Sequence, residues 1–127
     1  MIDIIIGGIA YTATLLSCYD GDTCKVKFHD TPEWAATWSL RFDGFDTPEI
    51  RGKCKYEKDV AKVAKRATTE YMKGTWGEPK LYSSGERGKY GRLIVSAPDL
   101  RDSLIAANVA RPYKGGKRKG WCDEADL

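Results

Sequence analysis

The chain has 127 residues, 42% hydrophobic and 31% charged, values typical of one globular domain rather than a disordered chain. The net charge of +3 excludes a strongly polybasic or polyacidic protein. The charge is uneven, however: residues 1–50 hold three basic and eight acidic side chains, and residues 51–127 hold eighteen basic and ten acidic ones. Such asymmetry indicates an anionic partner, such as a nucleic acid.

The first half of the chain has the patterns of β-strands. Residues 1–8 are apolar and predict a first strand or an ordered arm. Residues 9–17 are rich in β-branched and aromatic types, and residues 23–29 alternate between apolar and polar side chains, so two paired strands are expected. Asp20-Gly21-Asp22 supplies the turn between them. A third alternating run, residues 38–43, predicts the next strand.

The second half begins with helical spacing. Apolar residues three and four positions apart predict a helix over residues 55–73, with Gly74 ending it: Tyr56, Val60, Val63, Ala64, Ala67 and Tyr71. Short apolar runs at 80–82 and 92–95 predict two more strands. Asp99 is expected to cap a second helix, followed by a basic tail from about residue 111. The buried stripe of that second helix would be Leu100, Leu104 and Ala107.

This order of elements predicts one α+β domain over residues 1–127. Three meandering strands, a helix, two strands and a second helix are the order of an OB-fold, a five-stranded barrel with two packed helices. No stretch reaches the roughly 20 apolar residues of a membrane-spanning helix, so no membrane partner is expected. No signal peptide is recognisable either. We therefore expect a cytoplasmic protein, or a secreted or periplasmic one if an upstream segment was removed.

The four cysteines contain no C-x-x-C pair, which argues against a zinc ribbon or a thioredoxin-type redox site. Cys18 and Cys24 flank the predicted turn, and we expect them to be reduced and partly buried. Cys54 and Cys122 are distant in sequence, and whether they meet stays open.

Three polar segments carry groups suited to phosphodiester hydrolysis. They are Asp20-Gly21-Asp22-Thr23, Arg41 through Asp46-Thr47-Pro48-Glu49, and Lys89-Tyr90-Gly91-Arg92. Carboxylates from separate loops can bind a hard cation such as Ca²⁺, and a further carboxylate can orient or deprotonate water. Arginines can stabilise the charge that develops on phosphoryl oxygens. The single histidine, His29, argues against histidine-based nuclease chemistry.

In this order and spacing, the three segments resemble the signature segments of the staphylococcal nuclease (thermonuclease) family. The resemblance runs from about Ala10 to Tyr113 and implies a monomeric, Ca²⁺-dependent nuclease that cleaves DNA and/or RNA with low sequence specificity. It also implies the role of each site residue. Arg41, Glu49 as the base, and Arg92 would be catalytic; Asp22, Asp46 and the Thr47 carbonyl would bind the metal; Lys89, Tyr90 and Tyr113 would bind substrate.

The positions of Cys54 and Cys122 resemble those in a short bacterial or phage-type branch of this family, and this resemblance implies that the two cysteines could pair. No obligate protein partner is implied. Two other functions compete with the nuclease. One is a catalytically silent OB-fold module that binds single-stranded nucleic acid, for which the basic tail and aromatic side chains are equally suitable. The other is a protein-interaction or inhibitor domain in which the three segments are only turns.

Overall fold

The computed structural model describes residues 1–122; the end of the predicted domain, residues 123–127, lies outside the described part. Within residues 1–122 the chain forms eight strands and three α-helices. In chain order they are β1 (Ile2–Ile6), β2 (Ile9–Asp20), β3 (Thr23–Phe28), α1 (Glu33–Ala36), β4 (Thr37–Phe42), β5 (Phe45–Asp46), α2 (Lys55–Met72), β6 (Lys80–Ser83), β7 (Leu93–Val95), α3 (Pro98–Ala106) and β8 (Arg111–Pro112).

Six of the strands form one sheet in the order β6-β1-β2-β3-β4-β7. Strands β1 to β4 are an antiparallel meander, and β6 and β7 add in parallel at its two edges. The two edges then meet, because Tyr82 and Ser96 exchange backbone hydrogen bonds of 2.9 and 2.7 Å. The sheet is therefore a nearly closed barrel. A separate two-stranded ribbon joins β5 to β8.

The alternation predicted for the strands is what fills the barrel. Cys24 and Val26 of β3 are buried, while Lys25 between them is exposed. Helices α2 and α3 pack on the same core, whose largest fully buried side chains include Phe42, Phe45, Ile2, Ile4, Leu40, Met72, Leu81, Leu100 and Leu104. The prediction of a barrel with packed helices is confirmed at this level. The expected barrel of five strands and two helices is an undercount: residues 1–8, expected as a first strand or an ordered arm, provide β1 of the sheet, and the β5–β8 ribbon and α1 are additional.

The buried face of α2 differs in part from the predicted stripe. Ala64 and Tyr71 are buried as expected, but Val63 is 56% exposed, and Ala61 and Thr68 take buried positions instead. Helix α2 packs closely against the turn after β2, so its buried face carries small side chains that let the two backbones approach. The hydrophobicity of a residue such as Val63 does not indicate where this close contact falls.

Helix α3 begins earlier than predicted. Ala97 is its N-cap and Pro98 its first residue, so Asp99 lies inside the first turn and is not the cap. The Asp99 carboxylate accepts hydrogen bonds from the Tyr71 hydroxyl at 2.7 Å and from the Leu100 amide at 3.0 Å. At the other end, Ala107 is the C-cap and is exposed, contrary to its predicted burial.

Both cysteine pairs are disulfide-bonded. Cys18 pairs with Cys24 across β2 and β3, and Cys54 pairs with Cys122, 68 positions apart. The expectation that Cys18 and Cys24 are reduced is therefore wrong. The turn brings the two residues into register as direct neighbours on adjacent strands, with Cα atoms 3.9 Å apart. None of the helices in residues 1–122 is long and apolar enough to cross a bilayer.

Candidate functional site

An open cleft of about 730 Å³ lies on one side of the barrel, where three separate parts of the chain meet. The turn after β2, the chain around β4 and β5, and the segment before β7 contribute its walls, and the C-terminal tail lies across it. Seven of the nine predicted site residues line this cleft: Asp22, Arg41, Glu49, Lys89, Tyr90, Arg92 and Tyr113. The other two, Asp46 and Thr47, are buried and contact residues of the cleft.

The turn that carries Asp20 and Asp22 is fixed by its contact with α2. The Thr68 hydroxyl donates a 2.7 Å hydrogen bond to the Gly21 carbonyl. Gly21 itself packs so tightly that a Cβ atom there would lie 2.8 Å from both Ala64 Cβ and Thr47 Cγ2. Glycine is required at this position by close approach of the helix, and the turn is therefore held in one place.

Asp22 is the most constrained acid of the site. Its Oδ2 accepts a 3.1 Å hydrogen bond from the Thr47 amide and lies 3.3 Å from Arg41 Nη1. Burial disfavours its charge, but hydrogen bonds from Asp20 and Thr47 and the charge of Arg41 outweigh burial, so the pKa of Asp22 is lowered. Burial, together with the neighbouring Asp22, raises the pKa of Asp20 to about 8. The pKa values of the two neighbouring carboxyl groups therefore shift in opposite directions.

Arg41 lies at the base of the cleft beside both predicted metal carboxylates. Its Nη1 atom donates to the Phe42 carbonyl at 2.8 Å and to the Phe45 carbonyl at 3.3 Å. Its Nη2 atom lies 3.8 Å from Asp46 Oδ1. These contacts fix the guanidinium plane, since Nη1 is held by the backbone between β4 and β5.

Asp46 is positioned by the β5–β8 ribbon, in which it pairs with Arg111. Burial raises the pKa of Asp46, and the adjacent cations Arg118 and Arg41 oppose this effect. Arg118 Nη2 lies 2.6 Å from Asp46 Oδ1, so this buried carboxylate is ion-paired. Thr47 Oγ1 is a buried oxygen with no hydrogen-bond partner among the described residues.

Glu49 lies at the rim, with its side chain 54% exposed. Its Oε1 accepts a 2.7 Å hydrogen bond from Arg118 Nη1, and the same guanidinium donates from Nη2 to the Thr47 carbonyl at 3.0 Å. One arginine therefore spans the predicted base and two of the three predicted metal-binding residues.

The part of the cleft lining formed by residues 89–92 is cationic and aromatic. Arg92 lies there half-buried, donating to the Lys89 carbonyl at 3.1 Å, and its guanidinium is 5.5 Å from the Tyr90 ring centre. Tyr90 adopts a positive φ of 62° and is 93% exposed. Tyr113 reaches the cleft from beyond β8, where its hydroxyl donates to the Gly116 carbonyl at 2.7 Å. Arg92 Nη1 also donates to the Thr23 hydroxyl at 3.5 Å, and Thr23 is the strand partner of Arg41, so the two arginines lie on neighbouring parts of the same cleft.

The donors at the base of the cleft are suited to a hard cation. Asp22, Asp46 and the Thr47 carbonyl offer only oxygen, which is the ligand type that Ca²⁺ prefers. The cationic Arg118 nitrogen 2.6 Å from Asp46 Oδ1 shows that this position accommodates positive charge. Within residues 1–122, no three His, Cys, Asp or Glu side chains form a ready-made metal cluster. A Ca²⁺ ion here would need further ligands from water or substrate, because its usual number is about 6–8.

Arg118 is the residue that sequence reasoning missed. It was indistinguishable from its basic neighbours Lys117 and Lys119 in the tail. The one available signal was the pairing of Cys54 with Cys122, because Cys54 follows Glu49 by five positions and Arg118 precedes Cys122 by four. A disulfide between the two cysteines brings Arg118 close to Glu49.

Comparison of the chain with models of known protein families and with curated proteins finds no match. The function is therefore inferred from the residues of the cleft and their geometry.

Proposed function

We propose that the protein is a Ca²⁺-dependent nuclease of low sequence specificity, built on an OB-fold-like barrel of the staphylococcal nuclease type. The observation that carries this proposal is the meeting of the three polar segments in one cleft. Segments that were only turns would have no reason to place carboxylates, arginines and exposed tyrosines on the same side of the barrel.

The residues have distinct chemical tasks in this proposal. Asp22, Asp46 and the Thr47 carbonyl would hold the Ca²⁺ ion, which when bound supplies positive charge beside the phosphate. Glu49 would accept a proton from the attacking water, since it is exposed at the rim. Arg41 and Arg92 would donate hydrogen bonds to the phosphoryl oxygens.

Substrate binding would use the aromatic and basic wall. Tyr90 is almost fully exposed and offers a ring face for a base or sugar, while Lys89 beside it offers a charge for a phosphate. Tyr113 is placed on the other side, next to the tail. These contacts recognise the backbone and ring faces, so DNA and RNA are both suitable substrates.

A nucleic-acid-binding module without catalysis is the second candidate. The exposed Tyr90 and the basic wall support it equally well. It gives Glu49, Asp22 and Asp46 no role beyond their ion pairs with Arg41 and Arg118.

We also propose that the protein works in an oxidising compartment, secreted or periplasmic, rather than in the cytoplasm. Both disulfides support this, because glutathione and thioredoxin keep most cytosolic thiols reduced.

The proposed nuclease activity is tested by incubating the protein with single-stranded and duplex DNA and with RNA, in Ca²⁺ or in chelator. Glu49→Gln and Arg92→Ala should each lower the Ca²⁺-dependent cleavage rate by about 10²–10³, the usual effect of removing one preorganised catalytic group. Asp59→Asn and Arg66→Ala on the exposed face of α2 are the matched controls, since they make the same charge changes away from the cleft.

Binding of DNA without Ca²⁺-dependent cleavage would favour the silent module. Cleavage that survives Glu49→Gln and Arg92→Ala unchanged would show that another group, or a contaminant, performs the hydrolysis. If the protein neither binds nor cleaves nucleic acid, the result would favour an interaction domain.

A further inference from the structure

The C-terminal tail folds back over the cleft. After β8, the chain reverses at Gly115 and Gly116, whose φ angles of 96° and 83° belong to the left-handed region that glycine adopts without strain. The Tyr113 hydroxyl holds this reversal through its bond to the Gly116 carbonyl. The returning segment then passes beside Asp46 and Glu49, and Arg118 is the residue that points into them.

The returning segment is fastened on both sides of Arg118. On one side, β8 pairs with β5, so the tail starts next to Asp46. On the other side, the buried Trp121 ring lies 3.7 Å from the Arg111 guanidinium, which also donates to the Gly120 carbonyl at 2.8 Å. The disulfide of Cys122 then ties the segment to the start of α2.

Arg118 contacts the oxygens that a cation would use. Its Nη2 atom lies 2.6 Å from Asp46 Oδ1 and 3.0 Å from the Thr47 carbonyl oxygen. Its Nη1 atom lies 2.7 Å from Glu49 Oε1. Two of the three proposed Ca²⁺ ligands and the proposed base are therefore all engaged by one side chain of the same chain.

We propose that Arg118 is a built-in counter-ion that competes with the divalent cation for this site, and that the Cys54–Cys122 disulfide sets the strength of the competition. The inference rests on the proposed function and adds a regulatory contact to it. In the closed state, with Arg118 against these oxygens, the tail guanidinium pairs with both Asp46 and Glu49. Cation binding requires Arg118 to leave, which frees Glu49 at the same time.

Tethering makes this competition effective. A group on a short linker is present at its site at an effective concentration in the millimolar range. A guanidinium compound free in solution at low concentration would not compete as strongly. Arg118 is only four residues from Cys122, so the disulfide confines it to the vicinity of the cleft. If the closed state holds about nine molecules in ten, the apparent cation affinity is about tenfold weaker than that of the open state.

The test is a calorimetric titration of the oxidised full chain with CaCl₂ at constant ionic strength. Arg118→Gln should bind Ca²⁺ about tenfold more tightly than the wild type, because the competing charge is gone. Lys117→Gln is the matched control: it removes the same charge from the neighbouring exposed position, and its affinity should stay within about twofold of the wild type.

A second readout does not depend on affinity fitting. Without Ca²⁺, Arg118→Gln should melt at a lower temperature than the wild type, because Asp46 and Glu49 lose their counter-ion. Saturating Ca²⁺ should raise the melting temperature of this variant more than it raises that of the wild type.

The role of the disulfide is tested by the double variant Cys54→Ser/Cys122→Ser, which should also bind Ca²⁺ more tightly than the wild type, by less than Arg118→Gln. Cys18→Ser/Cys24→Ser is its control and should leave the affinity unchanged.

An Arg118→Gln affinity equal to or weaker than that of the wild type overturns the inference, as does an equal gain in Lys117→Gln. If the wild type also shows Ca²⁺-dependent cleavage, the proposed function survives and only the role of Arg118 is wrong. Absence of Ca²⁺ binding in both the wild type and Arg118→Gln overturns the inference as well, and the cleavage assay then decides separately whether the protein is a nuclease. An unchanged affinity after removal of the Cys54–Cys122 pair overturns the role of the disulfide.

Discussion

Gly21 gives the sharpest test of how the fold positions the site. Its φ angle is not in the left-handed region, so an alanine could adopt the same backbone. The obstacle is space: a Cβ atom would lie 2.8 Å from Ala64 Cβ and from Thr47 Cγ2, closer than real Cβ contacts allow. Both neighbours are buried, so the substitution must push α2 away from the turn or displace Thr47.

The expected cost of Gly21→Ala can be estimated from these contacts. Overpacking a tight site costs about 1–3 kcal/mol, and weakening the bond from Thr68 to the Gly21 carbonyl adds about 1 kcal/mol. Alanine also stabilises the folded state by about 0.4–1 kcal/mol, because it lowers the conformational entropy of the unfolded chain. The free energy of unfolding should therefore fall by about 1–3.5 kcal/mol. Because Thr47 holds Asp22 through its amide, Ca²⁺ binding should weaken as well.

Urea unfolding of the oxidised protein measures this change. Gly120→Ala is the matched control, because its Cβ would meet open space and it has no left-handed φ. That control should be neutral or slightly stabilising. A Gly21→Ala protein within about 0.5 kcal/mol of the wild type, the usual range of a neutral surface change, would refute the close-approach explanation.

Two further predictions concern stability. Burial raises the pKa of Tyr71 above its ordinary value of about 10, so the fold favours the neutral phenol. The unfolded chain ionises first as pH rises, and the stability that Tyr71 contributes is therefore complete below about pH 10 and lost above it, at up to about 1.4 kcal/mol per pH unit. The difference in unfolding free energy between the wild type and Tyr71→Phe should be constant from about pH 7 to 9 and shrink above that range; a constant difference at high pH would contradict the shift. The second concerns the two disulfides. The loop closed by Cys54–Cys122 is about ten times longer than the loop closed by Cys18–Cys24. Chain entropy therefore predicts that the free energy of unfolding falls by about 4 kcal/mol without Cys54–Cys122 and by about 2 kcal/mol without Cys18–Cys24. Thermal unfolding of the two Cys→Ser double variants tests this order, and a larger loss for Cys18–Cys24 would show that local strand geometry outweighs loop length.

Much of the fold was predictable because it follows from local patterns. Alternation over residues 23–29 is a property of neighbouring side chains, and β3 occupies Thr23–Phe28. The interval of three and four residues likewise predicted a helix over residues 55–73, and α2 occupies Lys55–Met72. The errors at Val63 and Asp99 arose where the decision depends on what packs against the helix.

The site was predictable in its parts but not in its contacts. The resemblance of the three segments to a known family predicted Asp22, Arg41 and Arg92 as site residues. The fold brings these three residues to one cleft. The resemblance gave no indication that Thr47 supports Asp22 through its backbone amide, because amide direction depends on the turn in three dimensions.

By itself, the sequence determined which elements form and which chemical groups are available, because periodicity and residue type act over a few neighbouring positions. The uneven charge of its two halves indicated that acidic and basic groups have separate places. Only the tertiary structure decided how these charges meet. It brought Cys54 against Cys122, and it placed Arg118 from the basic tail onto the carboxylates of the acidic half. Contacts between residues so far apart in sequence depend on how the barrel closes and the tail returns, which no local pattern encodes.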